Sequence, residues 1–133
     1  MSETKFDIGF YETRSGESPV WDFLDELRVK MKSNKDARIQ YRQALMYIDL
    51  LAMNGTNLSE NITKHLEENI WELRPGNNRV FYFFVQREAD DKKDTYVLLH
   101  QFRKKSQKTP RREIEQAKRE RDDYLSRKEN GEL

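Results

Sequence analysis

The chain has 133 residues, 35% hydrophobic and 37% charged, a length that supports one core and not two. Its 25 basic and 24 acidic residues leave a net charge of +1, so the distribution of charge is more informative than its sum. The absence of cysteine excludes disulfides and thiolate metal sites, and no apolar run approaches the roughly 20 residues needed to span a bilayer.

KFDIGFYE (5–12) sets Phe6, Ile8 and Phe10 on one face at period two, which predicts a half-buried strand. After the turn TRSGES, Ser18 is positioned to cap a helix with Pro19 at its first position, where a missing N–H costs nothing. Val20, Phe23, Leu24, Leu27 and Met31 give that helix an apolar face. SNKD restarts a second helix with the stripe Tyr41, Ala44, Leu45, Ile48 and Leu51, ended by Asn54-Gly55. From residue 70 the period changes. IWELR (70–74), RVFYFFVQ (79–86) and TYVLLHQF (95–102) are rich in aromatic and β-branched residues and predict three strands. Pro75-Gly76 suits a type II turn between the first two, while READDKKD is a polar connector to the third. The second and third strands are apolar on both faces, as central strands covered on each side would be. A last helix is expected from Pro110 to Arg127, with Ile114, Ala117, Tyr124 and Leu125 inward and KENGEL frayed beyond it. The order predicts a single α+β domain over 1–133. Its antiparallel sheet is an N-terminal strand plus a three-strand meander, with two N-terminal helices and one C-terminal helix.

From Arg103 to Arg112, six bases occur with no acid, and removing those six from a net +1 leaves −5 on the rest of the chain. An antiparallel meander brings the C-terminal end of its last strand to the edge where Arg74 and Arg79 flank the Pro-Gly turn. Arg103, Lys104, Lys105 and Lys108 then leave the sheet beside two guanidiniums that stay charged at any working pH. Such an edge is a candidate phosphate site, each contact on single-stranded nucleic acid adding about −0.7 to the salt slope. Arg111 and Arg112 fall inside the last helix and are set apart from it. His65 is placed in a loop as a structural histidine. His100 is placed on a strand face with Tyr96, Leu98 and Phe102. No His, Asp and Glu cluster has metal-ligand spacing, and no phosphate-binding glycine loop or nucleophile elbow occurs. No cofactor is expected. The N-terminal MSETKFDIGFYETRSGE lacks a basic region ahead of an apolar one, so a cytoplasmic protein without a leader is expected.

The block IWELRPGNNRVFYFF, followed by YVLLHQFRKKSQKTPRREIEQAKR, resembles the RelE/HigB toxin superfamily and its phage-derived HigB-like branch. The resemblance covers residues 66–124 and implies a RelE-like α+β fold. It also implies the toxin of a type II toxin–antitoxin system, a metal-independent endoribonuclease that cuts messenger RNA in the ribosomal A site. In such toxins the 2′-hydroxyl attacks the adjacent phosphate to leave a 2′,3′-cyclic phosphate. By position, Arg79 corresponds to the arginine that stabilises the scissile phosphate. Lys105 corresponds to the base supporting the leaving oxygen, with Lys104 beside it, and Arg74 to a residue orienting RNA. His100 matches the branch's strand histidine and is assigned proton transfer; Glu72 is the weaker base candidate. Arg103 and Lys108 are assigned RNA backbone contacts. The implied partners are the ribosome, mRNA and a helix-turn-helix (Xre-type) antitoxin through which alone operator DNA is met; no membrane is implied. The last helix lacks the terminal Tyr of many RelE-type enzymes, and Tyr124 falls on the apolar stripe. Two alternatives remain at this point: a catalytically inactive relative serving as antitoxin-binding co-repressor, and a ribosome-independent RNase.

Overall fold

A computed structural model describes residues 4–133. The element order is β1 (Asp7–Phe10), α1 (Pro19–Lys30), α2 (Lys35–Asn54), β2 (Thr63–Glu67), β3 (Ile70–Leu73), β4 (Asn78–Val85), β5 (Thr95–Arg103) and α3 (Arg111–Glu129). The strands form one five-stranded sheet in the order β1-β5-β4-β3-β2. This is an α+β fold consistent with the RelE-like arrangement. Two details of the expected sheet are corrected. β1 pairs with β5 in parallel, because α1 and α2 carry the chain across the sheet before β2. β2 is a fifth, unexpected strand, and it contains His65, which therefore lies on an edge strand and not in a loop.

β4 and β5 occupy the centre, as their two-sided apolarity requires. One face, packed on α1 and α2, buries Leu73, Val80, Tyr82, Tyr96 and Leu98 against Val20, Leu24, Ala44, Ile48 and Leu51. The other buries Ile70, Phe81, Phe83, Val97 and Leu99 beneath Ala117 of α3. Phe81, Tyr82 and Phe83 have no exposed surface, and sequestering each such side chain contributes about 1.5–3 kcal/mol before packing is counted. The buried Tyr82 hydroxyl is satisfied by Thr63 Oγ1 at 2.6 Å, which also lies 2.9 Å from the Glu72 carbonyl. That bridge pins edge strand β2 to the sheet centre.

Other local expectations change for physical reasons. The Ser18 hydroxyl donates to the Tyr11 carbonyl and leaves α1 without a side-chain cap, whereas Asn34 Oδ1 caps α2 by accepting from the Ala37 N–H. Leu45 and Leu125 sit at the margins of their stripes and are exposed. The C-terminal tail is tied down, with the Glu132 N–H donating to the Arg127 carbonyl and its carboxylate accepting from Arg14. Gly76 takes the positive φ of +64° that the β3–β4 turn demands, and a Cβ there would lie 2.7 Å from Gln43 Oε1.

One irregularity determines which residues reach the site. Val80 pairs with Gln101 and Tyr82 with Leu98, so Leu99 and His100 together oppose Phe81. This β-bulge turns Leu99, His100 and Phe102 toward α3, while Tyr96 and Leu98 face α1 and α2. The expected shared face of His100 with Tyr96 and Leu98 is overturned by that extra residue.

Candidate functional site

The α3 side of the sheet ends in a group of charges centred on Glu72, which has no exposed surface. Period-two geometry puts Glu72 and Arg74 on one face of the β3 edge, and Arg74 Nε donates to Glu72 Oε2 at 3.1 Å. Arg79 enters from the start of β4, with Nε 3.9 Å from the same oxygen. Thr109 Oγ1 donates to Glu72 Oε1 at 3.2 Å, tying the segment after β5 to the two arginines. A carboxylate this deep needs such partners, since an unpaired buried charge costs several kcal/mol.

Arg79 is 7% exposed. Its Nη1 donates to the carbonyls of Gly76 and Asn78 at 2.8 and 2.9 Å, so the β3–β4 turn aims it. No partner among the described residues takes Nη2. Burial lowers the Arg79 pKa, opposed by Glu72 and assisted by Arg74, yet a guanidinium remains charged at working pH. Arg74 is more open, and its Nη1 donates to the Glu60 carbonyl at 2.8 Å.

Beside this pair the chain turns out through residues 104–109, held at its start by the Lys104 N–H donating to the Asn77 carbonyl at 2.7 Å. Lys104 and Lys105 line a shallow depression with Asn77, Ser106 and Gln107. A second groove, of about 270 Å³, is lined by Lys64, His65, Leu66, Glu72, Arg74, Gln107, Lys108, Thr109 and Ile114. None of Lys104, Lys105 and Lys108 forms an ion pair among the described residues. α3 begins here with Pro110 as an N-cap that offers no side-chain acceptor. Its exposed N–H groups add to the positive potential.

Not every candidate joins this group. Arg103 lies on the opposite face, where its Nη1 donates to Gln40 Oε1 at 2.9 Å next to Asn78. His100 is 4% exposed, its ring 4.9 Å from that of Phe81. Nδ1 is 2.6 Å from Glu120 Oε1 and Nε2 is 2.9 Å from Glu113 Oε1. Burial works against its charged form, but the two carboxylates outweigh it and raise the pKa above its ordinary value. His65 Nε2 is 2.5 Å from the Glu68 carbonyl, in keeping with a structural histidine. Tyr124 packs edge-on against Phe83, 5.7 Å between ring centres, as its place on the apolar stripe required.

Sequence reasoning missed Thr109 and Lys64. Thr109 was visible only within the Lys108-Thr109-Pro110 element of the resemblance, with no role given to it, and Lys64 belongs to the strand that periodicity did not reveal. Among the described residues no cluster of three or more His, Asp or Glu is arranged to hold a metal ion. No described helix is long and apolar enough to cross a membrane.

Residues 22–122 match the family model described as phage-derived protein Gp49-like (DUF891). The chain belongs to the phage-derived Gp49-like family. The match spans both faces of the sheet and every residue of the charged edge, so the Glu72 centre lies inside the family's own domain. No curated protein matches the chain.

Proposed function

We infer that this Gp49-like protein is the toxin of a type II toxin–antitoxin system, acting in the cytoplasm as a metal-independent, ribosome-dependent mRNA endoribonuclease. The observation that carries the reading is the convergence of two guanidiniums on one buried carboxylate beside three unpaired lysines. Such an edge favours a dianionic phosphorane over the monoanionic phosphodiester, which is the differential binding that accelerates a reaction.

In this mechanism the RNA 2′-hydroxyl gives up its proton to solvent as its oxygen bonds to the adjacent phosphorus, while the bond from phosphorus to the 5′-oxygen breaks and that oxygen takes up a proton. The products are a 2′,3′-cyclic phosphate and a 5′-hydroxyl. Arg79 meets the charge that develops on the non-bridging oxygens through its unpartnered Nη2. Arg74 orients the strand, and Glu72 positions both arginines from below. Lys105 supports the departing oxygen with Lys104 beside it, and Lys108 neutralises backbone phosphate. His100, enclosed by Glu113 and Glu120, holds its proton away from the surface and acts on the site through α3. The partner that restrains the toxin is a helix-turn-helix antitoxin.

Brief induction followed by mapping of transcript 5′ ends tests the reading. Cuts inside translated codons, growth arrest, and loss of both in folded Arg79→Ala protein support it; intact transcripts in a translating extract overturn it. A second reading, an inactive relative that binds the antitoxin and represses their operon, is favoured by one feature. Glu72 and both histidines, the obvious general bases, are buried or already bonded. Under that reading Lys105→Ala changes nothing in growth, and complex formation persists.

A further inference from the structure

We propose that the groove between the β2–β3 hairpin and the 104–109 segment is a subsite for the phosphodiester beyond the cut in single-stranded RNA, with Lys64 as its outer ligand. The proposal rests on the RNA-cleaving reading and adds the path the strand takes away from the scissile phosphate.

Lys64 stands directly opposite Glu72 in the β2–β3 register. Cross-strand neighbours of opposite charge ordinarily pair. Here they do not, because Arg74 and Thr109 already occupy the Glu72 oxygens. Lys64 is exposed and has no carboxylate partner among the described residues. It shares its groove with Arg74 and Lys108, against a single carboxylate that two arginines already offset. Three like charges gathered around one concavity repel one another, and an entering anion relieves that cost.

The remaining walls fit a nucleotide better than a bare anion. Leu66 and Ile114 give the groove apolar surface, and Gln107 offers an amide. His65 meets the groove only at its rim, because its ring lies against Trp71 on the α1/α2 face, 5.1 Å between ring centres, with Nε2 at the Glu68 carbonyl. A positively charged groove that follows the backbone is how single strands are held without sequence readout. Gln107 also lines the depression that holds Lys104 and Lys105, so the two concavities adjoin. A strand leaving Lys105 crosses Gln107 and lays its next phosphate between Lys108 and Lys64.

The test measures binding of a short single-stranded RNA, 2′-O-methylated throughout so that it cannot be cut, across a salt series. Lys64→Ala should make the slope of log affinity against log salt shallower by about 0.7, one phosphate contact. Lys64→Arg should restore it. Lys92→Ala, an exposed lysine at the far end of β4 and β5, should leave the slope alone. An unchanged slope in folded Lys64→Ala protein overturns the subsite while leaving cleavage at Arg79 untouched as a reading. Weaker association with ribosomes alone, the oligonucleotide slope unchanged, also overturns it, because the groove would then serve ribosomal RNA. Failure of the unaltered protein to bind the RNA at any salt overturns the subsite, while the cleavage reading is judged separately, by cuts on programmed ribosomes.

Discussion

Two neighbouring regions carry dense positive charge to opposite ends. Along α3, Arg111 bonds Glu67 and Glu115, Lys118 bonds Glu67 and Glu68, and Arg121 bonds Glu68 and Asp122. In residues 104–108, three lysines have no carboxylate within reach among the described residues, although Arg111 follows only three positions after Lys108. The first region fastens a helix across the β2–β3 hairpin; the second leaves its charge unpaired at the surface. Linear charge density does not separate these uses. What separates them is whether the fold delivers a counter-charge, and Glu67 and Glu68 lie on the hairpin that α3 crosses and not on the side of the lysines.

The contrast is broken most severely at Glu72. Glu72→Gln leaves buried Arg79 and half-buried Arg74 without their anion, and urea unfolding should show a loss of about 3–5 kcal/mol. An unchanged midpoint would mean that the turn carbonyls alone hold the arginines. Arg79→Ala should come next, lowering cleavage about 10²–10³-fold, comparable to loss of one preorganised donor to a developing oxyanion. Single-turnover cleavage on programmed ribosomes measures it, and a change under threefold would place the chemistry elsewhere.

A smaller effect is expected at His100, read by pH. Its folded pKa is raised, so its contribution is fully present below the unfolded value near 6.5 and is lost as pH rises through the folded one. Melting temperature should therefore decline on the alkaline side of 6.5, and His100→Gln should flatten that decline. Imidazole NMR shifts report the titration directly. The smallest effect belongs to the paired region. Hydrogen bonds from Arg111 and Lys118 hold the Glu67 carboxyl down to about 2. Its contribution is present above the ordinary 4.5 and disappears as pH falls through about 2. Arg111→Ala should move that acid transition upward, with a slight drop in melting temperature and no change in cleavage.

Much of the fold was legible because its core follows simple periods. The alternation of Phe6, Ile8 and Phe10 and the three- and four-residue spacing of α1 and α2 led to the correct inner faces. The two-sided apolarity of β4 and β5 gave them their central place. β2 escaped notice because TKHLE has one aliphatic residue, Leu66, and lies at a sheet edge with Lys64 and His65 exposed. Parallel pairing of β1 with β5 leaves no mark on either strand's own pattern. At the site, the Pro75-Gly76 turn made the approach of Arg74 and Arg79 readable. Glu72 as their common anchor was not, since its partners come from three separate parts of the chain. The two faces of β5 were misread past Leu98, where the bulge shifts the alternation.

That bulge has a meaning in terms of insertions and deletions. Excise residue 100, and Leu99 alone stands opposite Phe81 while Gln101 and Phe102 keep their present partners. Every other side chain of β5 retains its face, so the sheet itself has no need of the extra position. A residue that could be lost without rephasing its strand, yet sits clasped by two acids of the covering helix, is a spacer with a cargo. At this position the strand's frame is longer by one residue than its partner's, and a regular ladder is what the same framework becomes without it.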